Sequence, residues 1–168
     1  MRDHPAALPI KQLLDACRIT TTRRSGPGGQ HRNKVETAIV IEYLPSSITA
    51  EASESRSQAT NKDRAVQRLR LALARQVRSP IDGENPPSEL WQSRCRGKSL
   101  SVSTDHVDLP ALLAEALDAI EFFEHRLAEA AQWLQISTSQ LVKLLKKDAT
   151  TFERLNDRRR STGIRPLR

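Results

Sequence analysis

The stretch Ser25-Gly26-Pro27-Gly28-Gly29-Gln30-His31-Arg32-Asn33-Lys34 constrains the fold more than any other part of this 168-residue chain. Three glycines and a proline within four residues cannot continue a helix or a strand, because glycine carries extra backbone entropy and proline has no N–H to give a ladder. The chain has to loop out here, and the elements on either side have to be joined around it. Gly28-Gly29 sets two residues without a Cβ side by side, so the backbone can take positive φ and a bulky partner can approach the main chain. Gln30 then stands at the tip.

The flanking segments read as strands. Arg18-Ile19-Thr20-Thr21-Thr22-Arg23-Arg24 is rich in β-branched residues and leads into the loop. Beyond it, Ile39, Ile41 and Tyr43 alternate at period two within 36–44. Pro45-Ser46-Ser47 supplies a turn without a glycine, and 48–53 can return antiparallel as a third strand. The period then changes. From Gln58 to Val77 the residues Val66, Leu69, Leu73 and Val77 form a helical stripe, with serine caps at 55–57 and Lys62, Arg64, Arg68, Arg75 and Arg78 turned outward. A short helix is expected from Pro9 to Cys17, and residues 1–8 as a frayed start.

Residues 79–108 contain Pro80, Gly83, Pro86, Pro87 and Gly97 with little periodicity and read as a linker, anchored at most by Trp91, Leu100 and Val102. Asp108-Leu109-Pro110 starts a helix whose apolar face runs from Leu112 to Phe123. A second helix places Leu127, Ala130, Ala131 and Leu134 inward, a third is defined by Leu141, Leu144 and Leu145, and a turn or two follow from Phe152 to about Arg160. The expected fold is therefore α+β, with a small antiparallel sheet and a packed basic helix, followed by a small helical C-terminal bundle. The expected division is 9–78, linker 79–108, and a helical, basic-tailed region 109–168.

Charge is distributed unevenly. The formal net charge of +7 divides into +7 over residues 1–80, −6 over 81–141 and +6 over 142–168. Basic ends of this kind attract a polyanion through counterion release, although a merely solvated basic surface has the same composition. Cys17 and Cys95 lie in no C-x-x-C, and the four histidines are scattered, so neither a disulfide framework nor a metal site is expected. No cofactor is expected either. No apolar run reaches the length of a membrane span and the first residues lack the apolar core of a secretion signal, which gives the expectation of a cytoplasmic protein without a membrane partner.

Ser25-Gly26-Pro27-Gly28-Gly29-Gln30, followed by Asn33 and Thr37-Ala38-Ile39, resembles the catalytic loop of the class I peptide chain release factor family. Arg56-Ser57-Gln58 and Asn61-Lys62 match the second half of that signature in the family's order and spacing. Arg32 stands where the family more often has a small apolar residue, and Ser55 where it often has an acid. The resemblance covers about residues 18–75. It implies hydrolysis of the ester that joins a nascent peptide to tRNA, inside the ribosome, with Gly28, Gly29 and Gln30 as the catalytic residues. An ester in a crowded RNA site needs a positioned water and a donor for the developing oxyanion. The Gln30 main-chain N–H suits the oxyanion, its side-chain amide the water, and the Gly-Gly backbone enters where side chains would clash. His31 is a poor general base because it would point away from Gln30 in an extended segment.

Stop-codon readers of this family carry a separate decoding domain, for which this chain has no room. Its size and basic C-terminus are closer to the codon-independent ribosome-rescue peptidyl-tRNA hydrolases. The resemblance therefore implies ribosomal RNA and peptidyl-tRNA as partners of a monomer. The expected RNA-binding residues are Arg23, Arg24, Arg32, Lys34, Arg56, Lys62, Arg64 and Arg68 around the loop. Toward the C-terminus they are Lys143, Lys146, Lys147, Arg158, Arg159 and Arg160. The alternative is a non-catalytic relative that binds a ribosome or RNA. The segment 130–137, with Leu141 and Leu145, is also similar to a bacterial helix-turn-helix, with Gln135 at the turn position where glycine is usual. A structural helical hairpin serves the same apolar positions, and DNA is the less favoured partner.

Overall fold

The computed structural model describes residues 4–22 and 37–168. A 3-10 turn, Pro5–Ala7, precedes helix α1, Ile10–Asp15. Strands β1 (Cys17–Thr22), β2 (Ala38–Tyr43) and β3 (Ile48–Ala52) form an antiparallel sheet in the order β1-β2-β3. Helix α2, Gln58–Gln76, lies on one face of it. Next come α3 (Glu89–Arg94) and a two-residue hairpin of β4 (Cys95–Arg96) with β5 (Ser99–Leu100). Four helices complete the chain: α4 (Leu109–Phe122), α5 (Leu127–Trp133), α6 (Thr138–Leu145) and α7 (Ala149–Ser161).

The sheet and α2 follow the expected periods. Ile39 and Ile41 point from β2 into the core, where Ala65, Val66, Leu69 and Leu73 of α2 meet them. Ser57 caps α2, its Oγ accepting from the Thr60 N–H at 3.3 Å. The β2–β3 turn lacks glycine, and Ser47 takes the left-handed backbone itself, with φ 53°. Not every basic residue of α2 faces outward. Arg75 is turned onto Asp148 in a two-pronged ion pair, Nε to Oδ2 at 2.7 Å and Nη2 to Oδ1 at 2.8 Å. Arg70 is buried and donates to the Leu8 carbonyl.

Three local expectations are corrected. The start of the described chain is not frayed: His4, Pro5 and Ala6 are buried, the His4 Nδ1 accepts from the Ala6 N–H at 3.0 Å, and Nε2 stands 3.2 Å from the Val77 carbonyl. The final helix begins at Ala149 rather than Phe152, because Asp148 caps it by accepting from the Thr151 N–H at 3.1 Å. The segment 79–108 is not wholly irregular. Its expected apolar anchors hold, with Trp91 in the core and Leu100 and Val102 packed against it, and polar ones join them: Ser79 N–H donates to Asp118 at 3.2 Å, Ser88 N–H and Oγ–H donate to Glu115 at 2.7 and 2.6 Å, and Arg94 pairs with Asp108. Trp91 of α3 is fully buried and its indole N–H donates to the Leu134 carbonyl at 2.8 Å.

These contacts account for α4. Every residue from Leu109 to Ile120 is buried, so the helix is enclosed on all sides rather than amphipathic. It packs against α2 on one side and against α5 and α6 on another. Glu115 and Asp118 survive in that interior because each carries the hydrogen bonds just described. Three acids of the acidic middle, Asp108, Glu115 and Asp118, therefore serve as internal partners.

Candidate functional site

The catalytic trio expected from the sequence, Gly28, Gly29 and Gln30, lies outside the described residues, as do Arg23, Arg24, His31, Arg32, Asn33 and Lys34. What the structure describes is the framework to which that segment is joined. Thr22 at the end of β1 is paired with Ala38 at the start of β2, so both attachment points belong to the same end of the sheet. β2 is the central strand, held on both edges, with Ile39 paired to Ala52 of β3.

Beside that end lies the start of α2. Asn61 is fully buried, one helical turn beyond the Ser57 cap. Its side-chain amide donates to the Thr37 carbonyl at 2.6 Å and to the Ser55 carbonyl at 2.8 Å, and its Oδ1 accepts from the Ser55 N–H at 2.9 Å. Both amide hydrogens are used, and only an asparagine or glutamine amide offers two donors and an acceptor in this arrangement. Ser55 Oγ in turn accepts from the Ser57 N–H at 3.1 Å. The second half of the sequence signature is thus bonded to the chain that leaves the first half. Asn61 is part of the motif read from the sequence, but its role in holding Thr37 depends on a long-range contact.

The basic residues around this framework differ in their freedom. Arg56 and Lys62 are exposed and form no ion pair among the described residues. Arg68 binds Glu54 at 2.6 Å and donates to the Glu51 carbonyl at 2.7 Å, and Arg64 approaches Glu54 at 3.9 Å. The hydrogen bond from Arg68 holds the Glu54 carboxyl below the usual carboxylate range. Glu54 thus brings an acid one position before Ser55, and it engages the arginines of α2.

The second expected group lies elsewhere. Lys143 of α6 is exposed, as is Lys146 just beyond that helix, whereas Lys147 is half-buried. Lys146 sits over the Phe152 ring, 5.4 Å from its centroid. On α7, Arg158 pairs with Glu121 at 2.9 Å, Arg160 with Asp157, and Arg159 donates to the Arg165 and His125 carbonyls. The Arg75–Asp148 pair ties this region to the far end of α2. Asn61 and Arg75 are separated by roughly 21 Å along the helix axis at 1.5 Å per residue. The second basic group, on α6 and α7, is therefore joined to the end of α2 remote from Asn61.

Cys17 and Cys95 are free, and burial pushes both thiols up, which disfavours the thiolate. Among the described residues no group of three or more histidine, cysteine or acidic side chains converges as a metal site would require. No described helix is long and apolar enough to cross a membrane.

The model of the RF-1 domain family matches residues 10–102, more than half of the chain. Peptide chain release factor 1 of Xylella fastidiosa is 47% identical over 62 residues, covering 37% of this chain and 17% of that protein. The proteins of the same name from Verminephrobacter eiseniae and Delftia acidovorans are 48% and 47% identical over 62 residues, again covering 37% of this chain and 17% of each relative. The chain therefore spans about a sixth of the length of these curated relatives.

Proposed function

Because the chain belongs to the RF-1 domain family, we propose that it hydrolyses the ester of peptidyl-tRNA on stalled ribosomes, without reading a codon. Gly28, Gly29 and Gln30 carry the reaction in this reading. The Gly-Gly backbone admits the loop to a crowded RNA site, the Gln30 main-chain N–H donates to the developing oxyanion, and its side-chain amide positions the attacking water. Proton transfer is left to the water, the leaving ribose hydroxyl and the surrounding RNA. Arg23, Arg24, Arg32, Lys34, Arg56, Lys62, Arg64 and Arg68 face RNA around the loop.

The observation that supports this reading best is the bond from Asn61 to Thr37. A loop that must deliver a backbone amide to an ester needs its stems fixed, and the second motif fixes one of them. The codon-independent form draws support from the region beyond the family match, a helical unit ending in basic residues with Lys143, Lys146, Lys147, Arg158, Arg159 and Arg160 as its RNA contacts. In the same reading 9–78 is the catalytic unit, 79–108 connects it, and 109–168 is the anchoring unit. The protein acts as a cytoplasmic monomer.

Release of labelled peptide from ribosomes stalled on truncated message tests the proposal, compared with ribosomes paused at a stop codon. Preference for the truncated message supports rescue. Preference for the stop codon contradicts it. Co-sedimentation with ribosomes that never yields free peptide would leave the non-catalytic alternative.

A further inference from the structure

We infer that α5, α6 and the β4–β5 hairpin together form a docking surface for a base-paired RNA helix, gripped through its phosphates. The α5–α6 turn provides the first observation. Leu127, Ala130, Ala131, Leu134, Ile136, Leu141, Leu144 and Leu145 are all buried, and Gln135 holds the left-handed backbone of the turn with φ 58°. Ser137 caps α6, its Oγ accepting from the Gln140 N–H at 3.3 Å. With Leu141, Leu144 and Leu145 inward, Ser139, Lys143 and Lys146 fall on the opposite face at i, i+4 and i+7.

The hairpin is the second observation. Gly97, with φ 56°, makes its turn, and the tip is docked at the start of α6, where the Ser137 N–H donates to the Lys98 carbonyl at 3.2 Å. Arg96 and Lys98 are exposed there. This hairpin therefore extends the surface of α6 with a second basic projection.

Charge complementarity identifies the occupant. Residues 95–100 and 134–147 contain five Lys or Arg (Arg96, Lys98, Lys143, Lys146 and Lys147) and no Asp or Glu, and the one acid of α5, Glu129, is paired with Arg126 at 3.1 Å. Such a surface suits a polyphosphate backbone. The outward residues on and just beyond α6 are Thr138, Ser139, Lys143 and Lys146, which suit phosphate contacts; the half-buried Gln140 adds one forked amide, short of the set of about three or four base-directed side chains with which a helix reads a DNA major groove. An A-form RNA helix, recognised by shape and by contacts to phosphates and 2′-hydroxyls, asks for no such set. The choice of RNA over DNA also rests on the ribosomal reading above, while the surface itself rests on the fold.

The full chain is titrated against an RNA duplex, the same sequence as a DNA duplex, and one RNA strand alone, at several salt concentrations. The variants are Arg96→Ala/Lys98→Ala, Lys143→Ala/Lys146→Ala and a control, Lys11→Ala/Arg18→Ala, which removes the same charge elsewhere; unchanged thermal midpoints verify folding. The RNA duplex should bind most tightly. Each surface pair should weaken it about tenfold and flatten the salt dependence, with the control near wild type. Equal loss in the control, no loss in the surface pairs, preference for the single strand, or sequence-dependent preference for the DNA duplex would overturn the inference. Gln30→Ala should bind the duplex as wild type does. Duplex binding without peptide release would leave this surface standing and remove the hydrolase reading, and release without duplex binding would do the reverse.

Discussion

The side-chain amide of Asn61 donates to the Thr37 carbonyl at 2.6 Å while the same side chain bonds both backbone groups of Ser55. One buried residue of α2 thus joins the start of the central strand to the turn before the helix. Asn61→Ala leaves three backbone groups without these partners, and a loss of about 1–3 kcal/mol is expected in chemical denaturation. Asn61→Asp should be no milder, because it sets a carboxylate oxygen against two carbonyl oxygens. A stability within error of wild type for both variants would show that the clamp is dispensable.

The Arg75–Asp148 pair makes a second prediction. Burial alone would raise the Asp148 carboxyl, but hydrogen bonds from Arg75 and Thr151 outweigh it and hold the group below its ordinary value. The pair's stability is therefore full at neutral pH. It is lost only as pH falls from about 3.9 down through the lowered folded value. Asp148→Asn should remove that acid sensitivity in a series of denaturant melts. Asp148→Ala should cost more than Arg75→Ala, since it also deletes the α7 cap, worth about 1 kcal/mol.

Histidine 125 acts in a different window. Burial, with Arg158 and then Arg159 nearby, pushes its imidazole below the ordinary value, against the opposing pull of Glu121. The unfolded chain therefore binds the proton more readily. Stability should fall as pH drops below about 6.5, toward the lowered folded value. His125→Gln should flatten the stability profile between pH 7 and the acid limb near pH 4. An unchanged slope would assign it to other groups.

Among the turns with left-handed non-glycine residues, two hold a single one where glycine costs nothing sterically: Ser47 with φ 53° and Gln135 with φ 58°. Ser47→Gly and Gln135→Gly should each stabilise the fold by about 0.5–1 kcal/mol, the relief of strain less the extra entropy of glycine. Thermal midpoints measured singly and together should rise additively, because the turns share no partners.

The sheet, α2 and the helix-rich C-terminal part were legible from the sequence because their signals are local: the period of two around Ile39 and Ile41, the helical stripe through Leu69 and Leu73, the serine cap before α2, and the inward Leu141, Leu144 and Leu145. The segment 79–108 was not legible in detail. Its order comes from Ser88 on Glu115 and Trp91 on the Leu134 carbonyl, contacts that no periodicity records. Burial of His4 against the end of α2 was hidden for the same reason. The Asp148 cap was within reach of a local reading, but Phe152, the first strongly apolar residue, drew the helix start three residues too far. The paired motif includes both Asn61 and Thr37, while the bond between them emerged only from the fold.

Peptide release from ribosomes stalled on truncated message is the decisive measurement, made with the wild-type chain and with Gly29→Ala and Gln30→Ala. Wild-type protein should release the peptide, and each substitution should reduce the rate by a factor of about 100 or more, as expected for loss of an oxyanion donor or its backbone geometry. Undiminished release by Gln30→Ala and Gly29→Ala, or no release by the wild-type chain, would contradict the proposed reaction.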